Sequence, residues 1–499
     1  MDARTYSYLE VGPLLRELEE KRALLRHTFD GWSIWPLFRI HVALALLDPQ
    51  ATPKGGGRGG RFSRQELVRL AVGDLLAWCR APRGVRALMV TCSSYRTDTE
   101  AGRPKDTLFD DYGRRLGDVY KFERINNRQL FELNQQSVLP SRMTNSCMTL
   151  LQRLYARLPV PMAARRAAEA LVADIAGTPA ARVLTIEAVA RRLAAFRHER
   201  RQWRNLCRRL RPRVVLIDDG CYQHDLIAGA KEAGVWVMEL QHGTFTPEGP
   251  EYCWSRAALV HRDQMPVPDR FLVFGKHWEG LLEADGFWTD RVRIVGNTRI
   301  DLHRKVARCE MGAHSGLVML VTTQGLGREA LIRWIQELML ELKQLHDLRV
   351  IVKLHPVYDQ DPAPYQSALG TDRRVLVQTG LGGPSTFDRL LEADLHASIS
   401  SSCHFDAIAL GTPTVILGLP SHEMVLPIRE SGNAALARSP QEWAALVRAT
   451  TGERVPEAIG DHYFRQGAVE NLAAVVAEIQ SATPPHRNAH TIPLQSIVS

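Results

Sequence analysis

The residues best suited to chemistry stand just after short apolar runs. Asp218-Asp219-Gly220 follows Arg213–Ile217. Two adjacent carboxylates on a turn released by glycine are placed to project from a strand end. A like charge or partial burial then raises one pKa toward the range of a general base. The same triplet also makes an ordinary turn and helix cap. Gln241-His242-Gly243 follows Val235–Leu240. Its amide and imidazole offer donors and an acceptor to a hydroxyl or phosphate, and its glycine lets backbone come close. Lys353 and His355-Pro356 close another run; proline fixes the exit of the chain, and the lysine suits an anionic ligand. Ser400-Ser401-Ser402 precede a helical stretch containing Asp406. Hydroxyls and unpaired N–H groups at a helix start suit a nucleotide phosphate, with Asp406 placed to accept from ribose hydroxyls. A plain N-cap needs only one of those serines. Gln324-Gly325 and Val295-Gly296-Asn297-Thr298, with Asp301 beyond, are polar turns at further strand ends. Gln324 falls on the donor side of this scheme and Asn297 on the substrate side. No DxD metal site and no Cys/His cluster stands out, so no metal is expected.

These groups need a scaffold that gathers strand ends. Arg213–Ile217, Val235–Leu240, Phe271–Phe274 and Val292–Val295 read as short buried strands alternating with helices, and Arg86–Thr91 is an earlier one. The pattern restarts with Leu317–Val321, the amphipathic stretch Arg328–Leu345, Val350–Lys353, Arg374–Val377, Leu395–Ile399 and Thr414–Leu417. Such alternation means parallel sheets covered on both faces. The expected fold is therefore α/β, with two Rossmann-like domains facing a cleft and additional N-terminal helices. Ligands in open α/β sheets bind beyond the carboxyl ends of strands. The expected domains are 1–305, carrying a helical extension and an arginine-rich helical insertion at about 141–212, then 306–480, then a flexible tail at 481–499. Pro53–Gly60 (PKGGGRGG) reads as a linker or loop tip.

Length and composition exclude several classes. At 499 residues, 45% hydrophobic and 24% charged, the chain is globular and long enough for two or three domains. Apolar runs such as Val42–Leu47 are far too short to span a bilayer, and Met1–Leu15 carries acids where a signal peptide would be apolar. Eight cysteines without a CxxC pair read as reduced thiols, which points to a cytoplasmic protein. The net charge of +8 is unevenly spread. Leu151–Arg213 holds fifteen arginines, no lysine and four acids, a local net of +11 that leaves the rest of the chain at −3. The readings of that segment are a solvated helical face or a peripheral contact with anionic lipid or an anionic acceptor. Nucleic acid is not an expected partner, because no nucleic-acid-binding motif accompanies the charge. Phe29, Trp32, Trp35 and Phe38, interleaved with Arg39, form either a packing face or a membrane anchor.

Taken in order, the motifs resemble a glycosyltransferase of the GT-B fold. The chain is similar to bacterial enzymes of capsule and O-antigen assembly: sialyl- and polysialyltransferases, Kdo transferases and CDP-glycerol-type polymer synthases. Asp218-Asp219-Gly220, His355-Pro356 and Ser401-Ser402 resemble the (D/E)(D/E)G, HP and serine-pair motifs of bacterial sialyltransferases. That likeness implies an acceptor base in the acidic pair, a donor-phosphate contact at His355 and nucleotide-phosphate binding at the serines. Gln241–Gly243, Phe274–Trp278, Val295–Asp301 and Lys353–Pro356 resemble a wider set of assembly proteins. Ser402–Pro413 resembles the S-x-x-x-E-A-x-x-x-G-x-P element that holds the nucleotide ribose, with Asp406 in place of its glutamate. The implied activity moves a sugar from a nucleotide-activated donor, CMP-linked sugars among them, to a growing surface glycan or lipid-linked glycan. No cofactor beyond the activated sugar is implied. Val295–Asp301 also resembles an element of sugar-nucleotide 2-epimerases, which makes epimerisation the first alternative. A non-catalytic component that binds sugar nucleotides within an assembly complex is the second.

Overall fold

The continuous apolar runs become parallel strands buried on both faces. The structure, a computed structural model, describes residues 5–47, 62–96, 98–125, 137–310, 316–325, 327–356, 358–380, 383–480 and 482. The glycine-rich stretch at 53–60 lies outside the described residues, as does the expected tail apart from Ala482. The chain divides into two compact units. One comprises residues 1–273, 278–295 and 469–499, and the other 274–277 and 296–468.

The first unit opens with α1 (Tyr8–Lys21), a hairpin of β1 (Thr28–Phe29) and β2 (Trp32–Ser33), α2 (Pro36–Leu47) and α3 (Arg64–Cys79). Next come β3 (Ala87–Cys92), a second hairpin of β4 (Asp98–Glu100) and β5 (Arg103–Lys105), α4 (Asp110–Leu116), β6 (Val119–Arg124) and β7 (Met143–Thr144). Helices α5 (Ser146–Tyr155), α6 (Met162–Ile175) and α7 (Ile186–Leu210) lead to β8 (Val214–Ile217), α8 (His224–Glu232), β9 (Trp236–Leu240), β10 (Arg270–Val273) and β11 (Val292–Ile294). Seven strands pair in the order β11-β10-β9-β8-β3-β6-β7, all parallel. The chain runs outward from β3 through β6 and β7, then returns to the other side of β3 at β8. The sheet therefore has a topological switch point between β3 and β8. Leu88, Val90, Phe122, Val215 and Ile217 pack there against Trp203, Leu206 and Leu210 of α7. Helix α7 starts at Thr185, whose hydroxyl accepts from Ala188 N, and buries Val189, Leu193, Phe196, Trp203, Leu206 and Leu210 along one stripe.

Phe29, Trp32, Trp35, Phe38 and Arg39 are all buried, so this cluster is a packing face and not an anchor. Arg39 Nε donates to Glu19 Oε1 at 2.6 Å, its guanidinium also donates to the carbonyls of Pro250 and Cys253, and it lies over the Trp254 ring. Several arginines of the basic segment pair internally: Arg197 and Arg200 with Asp30, Arg204 with Glu232, Arg192 with Glu199.

The second unit contains β12 (Leu317–Thr322), β13 (Leu348–Lys353), β14 (Val375–Gln378), β15 (Leu395–Ser398), β16 (Thr414–Leu417) and β17 (Ala435–Ala437). They pair in parallel in the order β14-β13-β12-β15-β16-β17, with the switch point between β12 and β15. Met319, Val321, Val350 and Val352 meet Leu331, Ile335 and Leu338 of the helix Arg328–Glu341 in its core.

Candidate functional site

Each switch point places one of the sequence motifs at a strand end. In the first unit, β8 ends at Asp218 beside the end of β3. Asp218 is buried, and its Oδ1 receives Arg124 Nη2 at 2.5 Å and Gln223 Nε2 at 3.0 Å. Arg124 closes β6, a strand that the sequence reading did not contain. Asp218 is thus committed to a structural ion pair. Asp219 turns away in a left-handed conformation, φ +46° and ψ +53°, which aspartate tolerates better than most residues. It lines a pocket of about 220 Å³ with Tyr222, Gln241, His242, Gly243 and Glu251. Burial raises the Asp219 carboxyl above its ordinary range, against an opposing pull from His242. A carboxylate so placed can take a proton at moderate pH.

The turn that presents Asp219 rests on Glu239 of β9. Glu239 Oε1 accepts from Gly220 N at 2.9 Å and from Tyr252 Oη at 2.9 Å. Burial pushes this carboxyl up to about 8. A Cβ at position 220 would lie 2.3 Å from the second glutamate oxygen, so a larger residue there would push the Glu239 carboxyl from its place. Gln241 is buried, and its Nε2 donates to Gly243 O at 2.9 Å, which shapes the loop carrying the exposed His242.

Glu251 is an acidic pocket residue that the sequence does not flag. Its carboxyl is raised by burial and accepts from Tyr8 Oη of α1 at 3.0 Å. The loop carrying it is held by α1 and α2. Arg16 donates to Pro247 O, Ser255 N donates to Glu19 Oε2, and Arg39 grips Pro250 and Cys253. No local motif marks Glu251, because its position depends on contacts more than 200 residues away in sequence.

In the second unit, Gln324 follows β12 and Ser400 follows β15, on the two sides of the switch point. Gln324 Oε1 accepts from Ser400 N at 3.3 Å and Ser400 Oγ at 3.1 Å. Ser401 Oγ accepts from Cys403 N at 3.2 Å, while Ser402 is exposed and its side chain makes no cap bond. Burial pushes Asp406 up to about 7, with Arg299 opposing. His355, beyond β13, donates its N–H to Thr323 Oγ1 at 3.3 Å, and its Nδ1 accepts from Tyr358 N at 3.0 Å. Its ring stacks on Tyr358 with centroids 4.6 Å apart, and burial lowers its pKa. Beneath this loop, buried Asp359 accepts from Thr323, Tyr365 and Arg328 at 2.6, 2.7 and 2.8 Å; the sequence reading omitted it.

Two expected ligand residues serve the frame in this geometry. Lys353 is buried, and its ammonium donates to the carbonyls of Thr379 and Pro384 at 2.9 and 3.0 Å. Asn297 Oδ1 accepts from Arg299 N and Ile300 N, capping the helix Thr298–Glu310. Among the described residues, no group of three or more His, Cys, Asp and Glu side chains is arranged to hold a metal ion.

No protein-family model matches the sequence, and no curated protein matches it. Solved structures do. The chain is similar to a crystal structure of UDP-N-acetylglucosamine 2-epimerase at 13% identity, covering 80% of this chain and 97% of that one with a TM-score of 0.50. It also matches UDP-GlcNAc 2-epimerase from Methanocaldococcus jannaschii (13% identity, 79% and 99% covered, TM-score 0.49) and MurG from Acinetobacter baumannii (14% identity, 79% and 99% covered, TM-score 0.44). At such identities the likeness is one of fold. With the two parallel sheets, it defines the class: a two-domain α/β protein of the GT-B type.

Proposed function

We propose that this protein transfers a sugar from a nucleotide-activated donor to a hydroxyl of a growing glycan or lipid-linked glycan, with Asp219 as the general base. The observation that carries the reading is the division of labour in the acidic pair. Asp218 is held by Arg124, while Asp219 faces a pocket with a raised pKa. In the proposed step the acceptor O–H gives its proton to the Asp219 carboxylate as its oxygen attacks the anomeric carbon. The bond from that carbon to the donor phosphate breaks, and the nucleotide leaves with the electron pair. Ser400, Ser401 and Ser402 with the adjoining N–H groups receive the phosphate, His355 supports it, and Asp406 accepts from the ribose. Purified protein incubated with a panel of CMP-, CDP-, UDP- and GDP-sugars and oligosaccharide acceptors tests this reading. A glycosylated acceptor supports it, and nucleotide-sugar turnover without acceptor modification argues against it.

Epimerisation at C2 is the second reading, favoured by the fold likeness to a 2-epimerase and by two raised carboxyls, Asp219 and Glu251, on one pocket. Such a pair can remove and return a proton at carbon. Deuterium incorporation at C2 in D₂O without any acceptor would establish this reading in place of transfer.

A further inference from the structure

Helix α3 carries an apolar face that the fold leaves open. Val68, Val72, Leu75 and Leu76 are 46, 54, 58 and 50% exposed, and Cys79 is exposed as well. At 100° per residue these five side chains fall within one arc of about 100°. The opposite side is fixed inward. Asp74 is buried, and its carboxylate accepts from Thr144 N at 2.6 Å, from Thr144 Oγ1 and from Cys147 N at 3.1 Å. Ala77 and Trp78 pack on the sheet core. The helix therefore cannot roll to hide its outer stripe. Leu154, near the end of α5, which packs against α3, is 57% exposed too.

Charge distinguishes the candidate occupants. Exposed Arg69 and Arg80 border the stripe on α3, and exposed Arg83 follows in the next turn. Arg209 of α7 donates to Cys79 O at 3.1 Å, adding a fourth cation at the helix C-terminus. Among the described residues 62–86 the acids are the buried Asp74 and Glu66, which lies in the first turn of α3 and accepts from Ser63 N at 2.7 Å in a capping box. Two copies meeting through this face would bring four arginines of each against those of the other, which disfavours self-association. Branched aliphatic side chains rimmed by arginine instead match the boundary between acyl chains and anionic headgroups. We infer that the outward face of α3 docks the protein on the surface of an anionic lipid bilayer, with Val72, Leu75 and Leu76 inserted and Arg69 and Arg80 among the headgroups. This surface centres on α3, touches the arginine-rich segment only at Leu154 and Arg209, and is distinct from the aromatic cluster that the sequence offered for such contact; it does not depend on which sugar reaction the protein performs.

The test is sedimentation of the full chain with sucrose-loaded vesicles of phosphatidylglycerol and phosphatidylcholine in equal parts, and with phosphatidylcholine alone. The protein is expected to sediment with the mixed vesicles, to bind phosphatidylcholine weakly and to be released by salt. The double variant Val72→Gln/Leu76→Gln should lower partitioning about tenfold or more, and Arg69→Gln/Arg80→Gln should do the same on mixed vesicles only. All four positions are exposed, so unchanged melting temperatures will accompany these losses. Three results would overturn the inference: no wild-type sedimentation with mixed vesicles, undiminished binding by the Val72/Leu76 variant, or a wild-type dimer that this variant converts to monomer.

Discussion

Arg124 and Asp218 meet at 2.5 Å where the sheet of the first unit changes direction, one at the end of β6 and the other at the end of β8. This ion pair separates two neighbouring aspartates into a fixed one and a presented one. Asp219→Asn is accordingly expected to lower kcat by ~10²–10⁴-fold with nucleotide affinity retained. Asp218→Asn should instead lose ~1–3 kcal/mol of stability, because it leaves Arg124 without its countercharge. Steady-state kinetics and denaturant unfolding of both variants separate the two roles. A variant pair with the kinetic and stability defects reversed would exchange the assignments.

Glu239 supports the same turn from below, and its charge state follows from burial. Its folded-state pKa of about 8 lies above the ordinary glutamate value, so the folded protein holds a proton that the unfolded chain releases. That contribution to stability is fully present below the ordinary glutamate range and is lost as pH rises toward about 8. Glu239→Gln keeps an oxygen to accept from Gly220 and Tyr252 while removing the titration. The variant should lose less melting temperature than wild type between about pH 5 and pH 8. Parallel melting curves across that window would count against the buried, protonated glutamate.

Much of this scaffold is legible in the sequence. Val214–Ile217 and Leu317–Val321 are uninterrupted apolar runs, and the polar residues that follow them stand at the switch points. Strand β6 is harder to read, because Lys121 and Glu123 lie inside the sheet and break the apolar pattern. Each is buried through a partner elsewhere: Lys121 with Asp106 and Asp110, and Glu123 with Arg96. Without β6, neither the switch point of the first unit nor the partner of Asp218 can be placed. Glu251 and Asp359 are likewise fixed by tertiary hydrogen bonds that leave no local spacing to detect.

Acid should destabilise the second unit through a buried histidine pair. His396 bridges Thr322 at 2.9 Å and Thr414 at 2.7 Å, and His404 meets the same Thr414 hydroxyl at 2.7 Å. Burial lowers both pKa values, His404 to about 4. The unfolded chain therefore binds protons that the folded one refuses, and stability falls as pH drops below ~6.5 toward 4. Differential scanning calorimetry on His404→Gln should show a shallower loss across that range. An unchanged slope would remove His404 from the acid response.

Chelation is expected to leave turnover intact. The proposed stabilisation of the leaving phosphate comes from the Ser400–Ser402 region and His355, which need no cation to act. Rates measured after EDTA treatment and gel filtration should match untreated protein. Abolition of activity that Mg²⁺ restores would transfer the phosphate-stabilising role to a metal.

Gly12 gives the sharpest test of whether the N-terminal helices serve the pocket. Glycine inside a helix ordinarily lowers stability by ~1 kcal/mol relative to alanine, so Gly12→Ala would be stabilising on propensity alone. Here α1 lies against the loop that carries Glu251, and a Cβ at position 12 would sit 1.8 Å from Glu248 O. That oxygen belongs to backbone, so either the loop or the helix must move. Gly12→Ala is therefore expected to cost ~1–3 kcal/mol and to lower turnover, because displacing α1 weakens the hydrogen bond from Tyr8 to Glu251. Tyr8→Phe should reproduce the catalytic part of this defect with a smaller loss of stability. If Gly12→Ala proves more stable than wild type and equally active, α1 is not what holds the pocket loop in place.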